Sequence, residues 1–105
     1  MTFSIAARCD ETGEHGAAIA SATPCVGTIC LWMQAGVGVV CTQAWTNPYL
    51  GKYALSALSR YKTTTQAMQY ALAKDANAFL RQVGLVGAQG NGAAWTGSQL
   101  SLIHI

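Results

Sequence analysis

Charged side chains are the scarcest feature of this sequence, with six basic and four acidic residues in 105 positions, where about a quarter is usual. Much of the surface must be small, neutral or covered. The net charge of +2 is weak, and Arg8, Lys52, Arg60, Lys62, Lys74 and Arg81 form no basic cluster, which argues against nucleic acid as a partner. Long apolar runs are also missing, and the N-terminus lacks the basic flank and apolar core of a signal peptide. The expectation is therefore no membrane contact and a cytoplasmic protein. Borderline and soft metal ligands are few: His15, His104, and four cysteines without a Cys-x-x-Cys pair. Neither a metal nor a cofactor is expected, and Cys9, Cys25, Cys30 and Cys41 read as reduced, structural thiols.

What is present is organised around Ala35 to Asn47, AGVGVVCTQAWTN. Val37 to Thr42 leaves no polar face for water and reads as a strand buried on both sides. Gly36 and Gly38 remove side chains where another layer must approach closely. Asn47-Pro48 then supplies a helix cap and a favoured first helical residue, so the sheet passes directly into a covering helix layer.

Thr2 to Arg8 alternates Phe3, Ile5 and Ala7 against Ser4, Ala6 and Arg8, the pattern of a strand with one buried face. Asp10 to Glu14 is turn chemistry leading into Gly16 to Ser21, a strand of residues so small that it must lie close to another layer. Ala22 to Gln34 reads as a loop with a short extended piece, and its Trp32-Met33 pair as core or interface packing. From Pro48, apolar residues recur at helical spacing to about Arg60 to Lys62. Thr63 with Gln66 reads as a capping box opening a second helix, packed as a hairpin on the first and leaving at Lys74 to Asn77. Phe79 to Val86 and Ala93 to Thr96 then flank the glycine-rich turn Gly87 to Gly92. No helix and no Lys-Ser/Thr pair follow that turn, so it reads as a hairpin turn and not a phosphate loop. The order βββααββ, with helices grouped together, argues for an α+β fold in layers.

The stretches TFSIAARCDETGEHGAAIAS, AGVGVVCTQAWTNPYLGKYAL and RQVGLVGAQGNGAAWTG resemble an uncharacterised bacterial and archaeal family, domain of unknown function number 1028, related to the N-terminal-nucleophile hydrolases. The resemblance covers Thr2 through Gly97 and implies the first half of a four-layer αββα sandwich, since such proteins run to about twice this length. Residues 1–97 are then expected as the N-terminal half of a domain, and 98–105 as a non-native tail, because Leu100 to Ile105 resemble a frame of a transposon-derived sequencing adaptor.

The resemblance also implies a chemistry. Removal of Met1 would leave Thr2 with a hydroxyl and a free α-amine, and a reference pKa of about 7.7–8.0 lets that amine act as base near neutral pH. Ser21, Gln43 and Asn47 are the candidate oxyanion donors, with Arg8 the nearest cation in sequence. Asn47 is equally a helix cap, and Ser21 equally a strand-end turn residue. Cys25 has no histidine in recognisable relation to it and is set aside as a nucleophile. Active relatives such as proteasome subunits use a lysine after the early strands, and Ile29 to Gln34 offers none. Two classes stay open: hydrolysis of an amide by an N-terminal Thr, or a catalytically silent relative that binds a small ligand or assembles through its apolar surface. The partners expected are a small amide substrate or ligand and further copies of the chain.

Thiol titration of the freshly denatured, unreduced protein is expected to find all four cysteines. Recovery of two would show a disulfide and overturn the reduced-thiol reading.

Overall fold

The computed structural model describes residues 2–60 and 63–98. Two strands, β1 (Thr2–Arg8) and β2 (His15–Ser21), pair antiparallel as a hairpin. A short helix α1 (Gly27–Cys30) leads into β3 (Leu31–Gln34) and β4 (Gly38–Gln43). Two longer helices follow, α2 (Pro48–Arg60) and α3 (Thr64–Ala73), then a 3-10 turn (Ala78–Leu80) and the hairpin β5 (Gln82–Gly87) and β6 (Gly92–Thr96). Strands β3-β4-β5-β6 form one antiparallel sheet in that order. The fold is an α+β sandwich of three layers: helices, a four-stranded sheet and a two-stranded sheet.

Strand β4 is the middle of the sandwich, and all six of its residues are buried. Side-chain alternation splits its contacts between the two neighbouring layers. Val40 joins Val83 and Leu85 of β5 in the apolar core against Leu50 and Ala54 of α2 and Met68 and Ala71 of α3. The other face turns towards the β1–β2 hairpin, where Gln43 meets Ser4 and the main chain of Thr2.

The helix ends follow local chemistry. The Asn47 side chain accepts from the Tyr49 amide at 3.1 Å with Pro48 in the first helical position, and Thr63 Oγ1 accepts from the Gln66 amide at 3.1 Å. Both satisfy amides that a helix start leaves without intrahelical partners. The first helix ends at Arg60; Tyr61 and Lys62, where the sequence pattern extends it, lie outside the described residues, as does the tail Leu100 to Ile105.

Three local expectations are corrected. The segment before β4 is not a loop with an extended piece alone but a helical turn and a paired strand, since Leu31 to Gln34 find partners in Gly38 to Cys41. The strand expected from Phe79 starts at Gln82, because the Asp75 carboxylate accepts from the Asn77 amide at 3.0 Å and holds Arg81 at 2.8 Å, folding the exit from α3 into a turn. The alternation in β1 is present, but Phe3 and Ile5 face outward, 67% and 62% exposed. Turning the strand over would withdraw Ser4 from buried Gln43 and place phenylalanine there instead. The hairpin turn after β5 is as expected, closed by the Gly87 amide on the Asn91 carbonyl at 3.0 Å.

Trp32 packs against α2 at Gly51, where any added Cβ would enter the indole ring. Gly51→Ala is expected to cost about 1–3 kcal/mol in unfolding free energy. Gly16→Ala, whose added methyl meets nothing, should stay within about 0.5 kcal/mol of the parent. Equal denaturant midpoints for the two would show that the Trp32 contact does not fix helix against sheet.

Candidate functional site

A cavity of about 440 Å³ opens where the start of β1, the end of β4 and the start of β5 converge, lined by Thr2, Phe3, Ser4, Gln43, Ala44, Trp45 and Gln82. That is within the usual range for small-molecule sites, roughly 300–1,000 Å³. Thr2 and Ser21 are cross-strand partners, and their hydroxyl oxygens lie 3.0 Å apart. The Ser21 oxygen also accepts from the Thr23 amide at 3.1 Å.

Gln43 ties the two sheets together beneath this pair. Its carbonyl oxygen accepts from the Ser4 hydroxyl at 2.7 Å, and its amide nitrogen donates to the Thr2 carbonyl at 3.1 Å and to Gln82 Oε1 at 2.7 Å. Because a backbone carbonyl can only accept, the nitrogen must face Thr2. Both amide hydrogens of Gln43 are thereby committed, so it positions Thr2 and has none left for a substrate oxyanion. Gln82 donates one amide hydrogen to Thr96 Oγ1 at 3.2 Å, and its second has no partner among the described residues.

The other candidates are dispersed. Asn47 caps α2 and helps hold the Asp75 carboxyl low, so its side chain serves the helix start. Arg8 stands at the far end of β1 beside Asp10, at 3.3 Å, roughly 20 Å from Thr2 by strand rise. The structure thus brings together Thr2, Ser21 and Gln43, and does not bring Arg8 or Asn47 to them. It adds Ser4, Gln82 and Trp45. Ser4 shares a strand face with Thr2, a signal the alternation carried, whereas Gln82 reaches the site through its pairing with Gln43, which no local pattern encodes.

The cavity wall at Ala44 and Trp45 has unusual backbone geometry, with φ of 58° and 35°, a region side-chain-bearing residues seldom occupy. A nearly buried ion pair holds it. Arg81 pairs with Asp75, their side chains 14% and 5% exposed, and Arg81 Nη1 donates to the Trp45 carbonyl. Hydrogen bonding from Arg81, opposed by burial and helped by the Asn77 amide and Asn47, holds the Asp75 carboxyl below its ordinary range.

A lowered carboxyl pKa favours the folded state above the unfolded value of about 3.9, and that contribution fades as pH falls through the lower folded value. The parent is therefore expected to lose stability in acid more steeply than Asp75→Asn, which at neutral pH starts less stable by on the order of 3 kcal/mol. Denaturant midpoints between pH 2.5 and 7 check this. Parallel profiles would show that Asp75 does not carry it.

Among the described residues no helix is long and apolar enough to cross a membrane. No curated protein matches the chain. A crystal structure of a DUF1028 protein from Silicibacter pomeroyi is similar, with 31% identity and a TM-score of 0.88, over 93% of this chain and 46% of that one. The chain therefore spans about half the length of that relative. The model of the family of unknown function DUF1028 matches residues 2–104, nearly the whole sequence, and the chain belongs to that family.

Proposed function

We propose that the protein hydrolyses an amide bond, with Thr2 as N-terminal nucleophile once Met1 is removed. The observation that carries this reading is the position of the Thr2 hydroxyl, at the rim of the cavity and 3.0 Å from Ser21 Oγ. The main chain of the same residue is fixed by Gln43. A nucleophile gains most when it is held rigidly, because the orientation entropy is then already lost before reaction.

In this reaction the α-amine of Thr2 accepts the Oγ1 proton as Oγ1 attacks the substrate carbonyl carbon. The tetrahedral oxyanion forms beside Gln82, whose uncommitted amide hydrogen is a donor in reach of the cavity. Collapse breaks the C–N bond, and the proton held by the α-amine leaves with the departing amine. Water then attacks the Thr2 ester, releasing a carboxylate and restoring the hydroxyl. Ser21 orients the Thr2 hydroxyl and Ser4 orients Gln43.

Thr2→Ala in the full-length protein should lower turnover about a thousandfold or more, equal to roughly 4 kcal/mol of barrier, with an unchanged fold by circular dichroism. Thr2→Ser should retain part of the activity, and acetylation of the α-amine should abolish it. Mass spectrometry should show Met1 absent from active protein. Activity that survives both Thr2→Ala and a retained Met1 would sink the proposal. Ligand binding without turnover in protein lacking Met1 would favour the silent relative instead.

A further inference from the structure

Among the described residues, the side chains lining the Thr2 cavity are all uncharged: Thr2, Ser4, Gln43 and Gln82 supply neutral polar groups, and Phe3, Ala44 and Trp45 supply apolar surface. The nearest ion pair, Arg81–Asp75, is closed on itself and on the Trp45 carbonyl. Trp45 is 74% exposed, yet its main chain is held in an unfavourable conformation by that pair. An indole displayed in this way offers a flat, apolar platform beside a row of amides and hydroxyls.

The geometry points to an uncharged carboxamide attached to a planar apolar group as the ligand of this cavity, and to rejection of the matching carboxylate. The planar group lies on Trp45. The carboxamide meets groups of its own kind, its oxygen accepting from Gln82 and its nitrogen donating to hydroxyl or amide oxygens. Once the Thr2 α-amine is neutral, the form in which it acts as base, a carboxylate placed there would lose water and meet no charged side chain among the lining residues, and burying an unpaired charge is far more costly than burying a hydrogen-bonded amide.

The consequence for catalysis rests on the amide-hydrolysis reading. Hydrolysis adds water across the C–N bond, giving a carboxylate and an amine that takes up a proton. With the Thr2 α-amine neutral, the reaction therefore converts the preferred ligand into a disfavoured one, and the acid product leaves without competing with fresh substrate.

Binding can be tested without turnover. Full-length Thr2→Ala protein, at pH 9 where a terminal amine is mostly neutral, is titrated with 3-phenylpropanamide and with 3-phenylpropanoate and followed by saturation-transfer NMR. The amide should bind at least about tenfold more tightly, and Trp45→Ala should abolish its signal while leaving the circular dichroism unchanged. Ala44→Lys adds a cation to the cavity wall without removing any hydrogen bond described above, so it should move the preference towards the acid. Equal binding, tighter binding of the acid, or no binding of either probe would overturn the inference. Selective amide binding with no hydrolysis by wild-type protein lacking Met1 would leave it standing and remove the hydrolytic reading alone.

Discussion

The side chain of Gln43 is the interaction on which the arrangement of layers depends. A buried amide left without partners costs about 1–3 kcal/mol, whereas one that finds them fixes the groups that supply them. Here the partners are Ser4 and Thr2 on one sheet and Gln82 on the other. Three strands are thus locked in register at the end where the cavity opens. Sliding β1 by one residue would put Phe3 where Ser4 now donates, so the polar contact selects a register that apolar packing between small residues would leave loosely defined. The outward position of Phe3 and Ile5 follows from the same choice.

A second constraint acts from the helix side. Asp75 sits just after α3, and its carboxylate collects Arg81, the Asn77 amide and Asn47. Asn47 begins α2, so one carboxylate links the start of one helix, the exit of the next and the entry to β5. Through Arg81 it reaches the Trp45 carbonyl, immediately after β4. The two networks meet at the turn between Gln43 and Asn47. Gln43 fixes the turn from the β1–β2 side and Arg81 fixes it from the helix side, and the strained residues Ala44 and Trp45 lie between them.

Much of this was legible where the signal is local. The boundaries of β1, the burial of β4, the caps at Asn47 and Thr63 and the glycine-rich hairpin turn all depend on neighbours within a few residues. Trp32 was recognisable as packing, although its partner Gly51 was not. What was not legible depends on partners distant in sequence. The strand Leu31–Gln34 exists because β4 offers it an edge, and Phe79 is excluded from β5 because Asp75 holds Arg81. Sequence proximity also misled at the site. Arg8 is close to Thr2 in the chain, but an extended strand carries successive residues apart, so the nearest cation in sequence ends up roughly 20 Å away. Gln82 is far along the chain and adjacent in the fold.

These constraints explain why the cavity forms at strand ends. A residue in mid-strand has its main chain committed on both sides and its side chain directed into a layer, whereas the first residue of a strand is held by pairing on one side only. Thr2 is in that position: Ser21 and Gln43 hold it from within the fold. The turn at Ala44 and Trp45 must then close the cavity without a long loop, which accounts for its unfavourable backbone angles. Such a turn persists only if something outside it opposes relaxation, and the nearly buried Arg81–Asp75 pair provides that opposition. A buried ion pair is weak evidence of net stability, since its desolvation offsets most of its attraction. Its effect here is geometric: it holds an aromatic wall in a conformation the local sequence would not choose, opposite a threonine that the sheets hold from the other side.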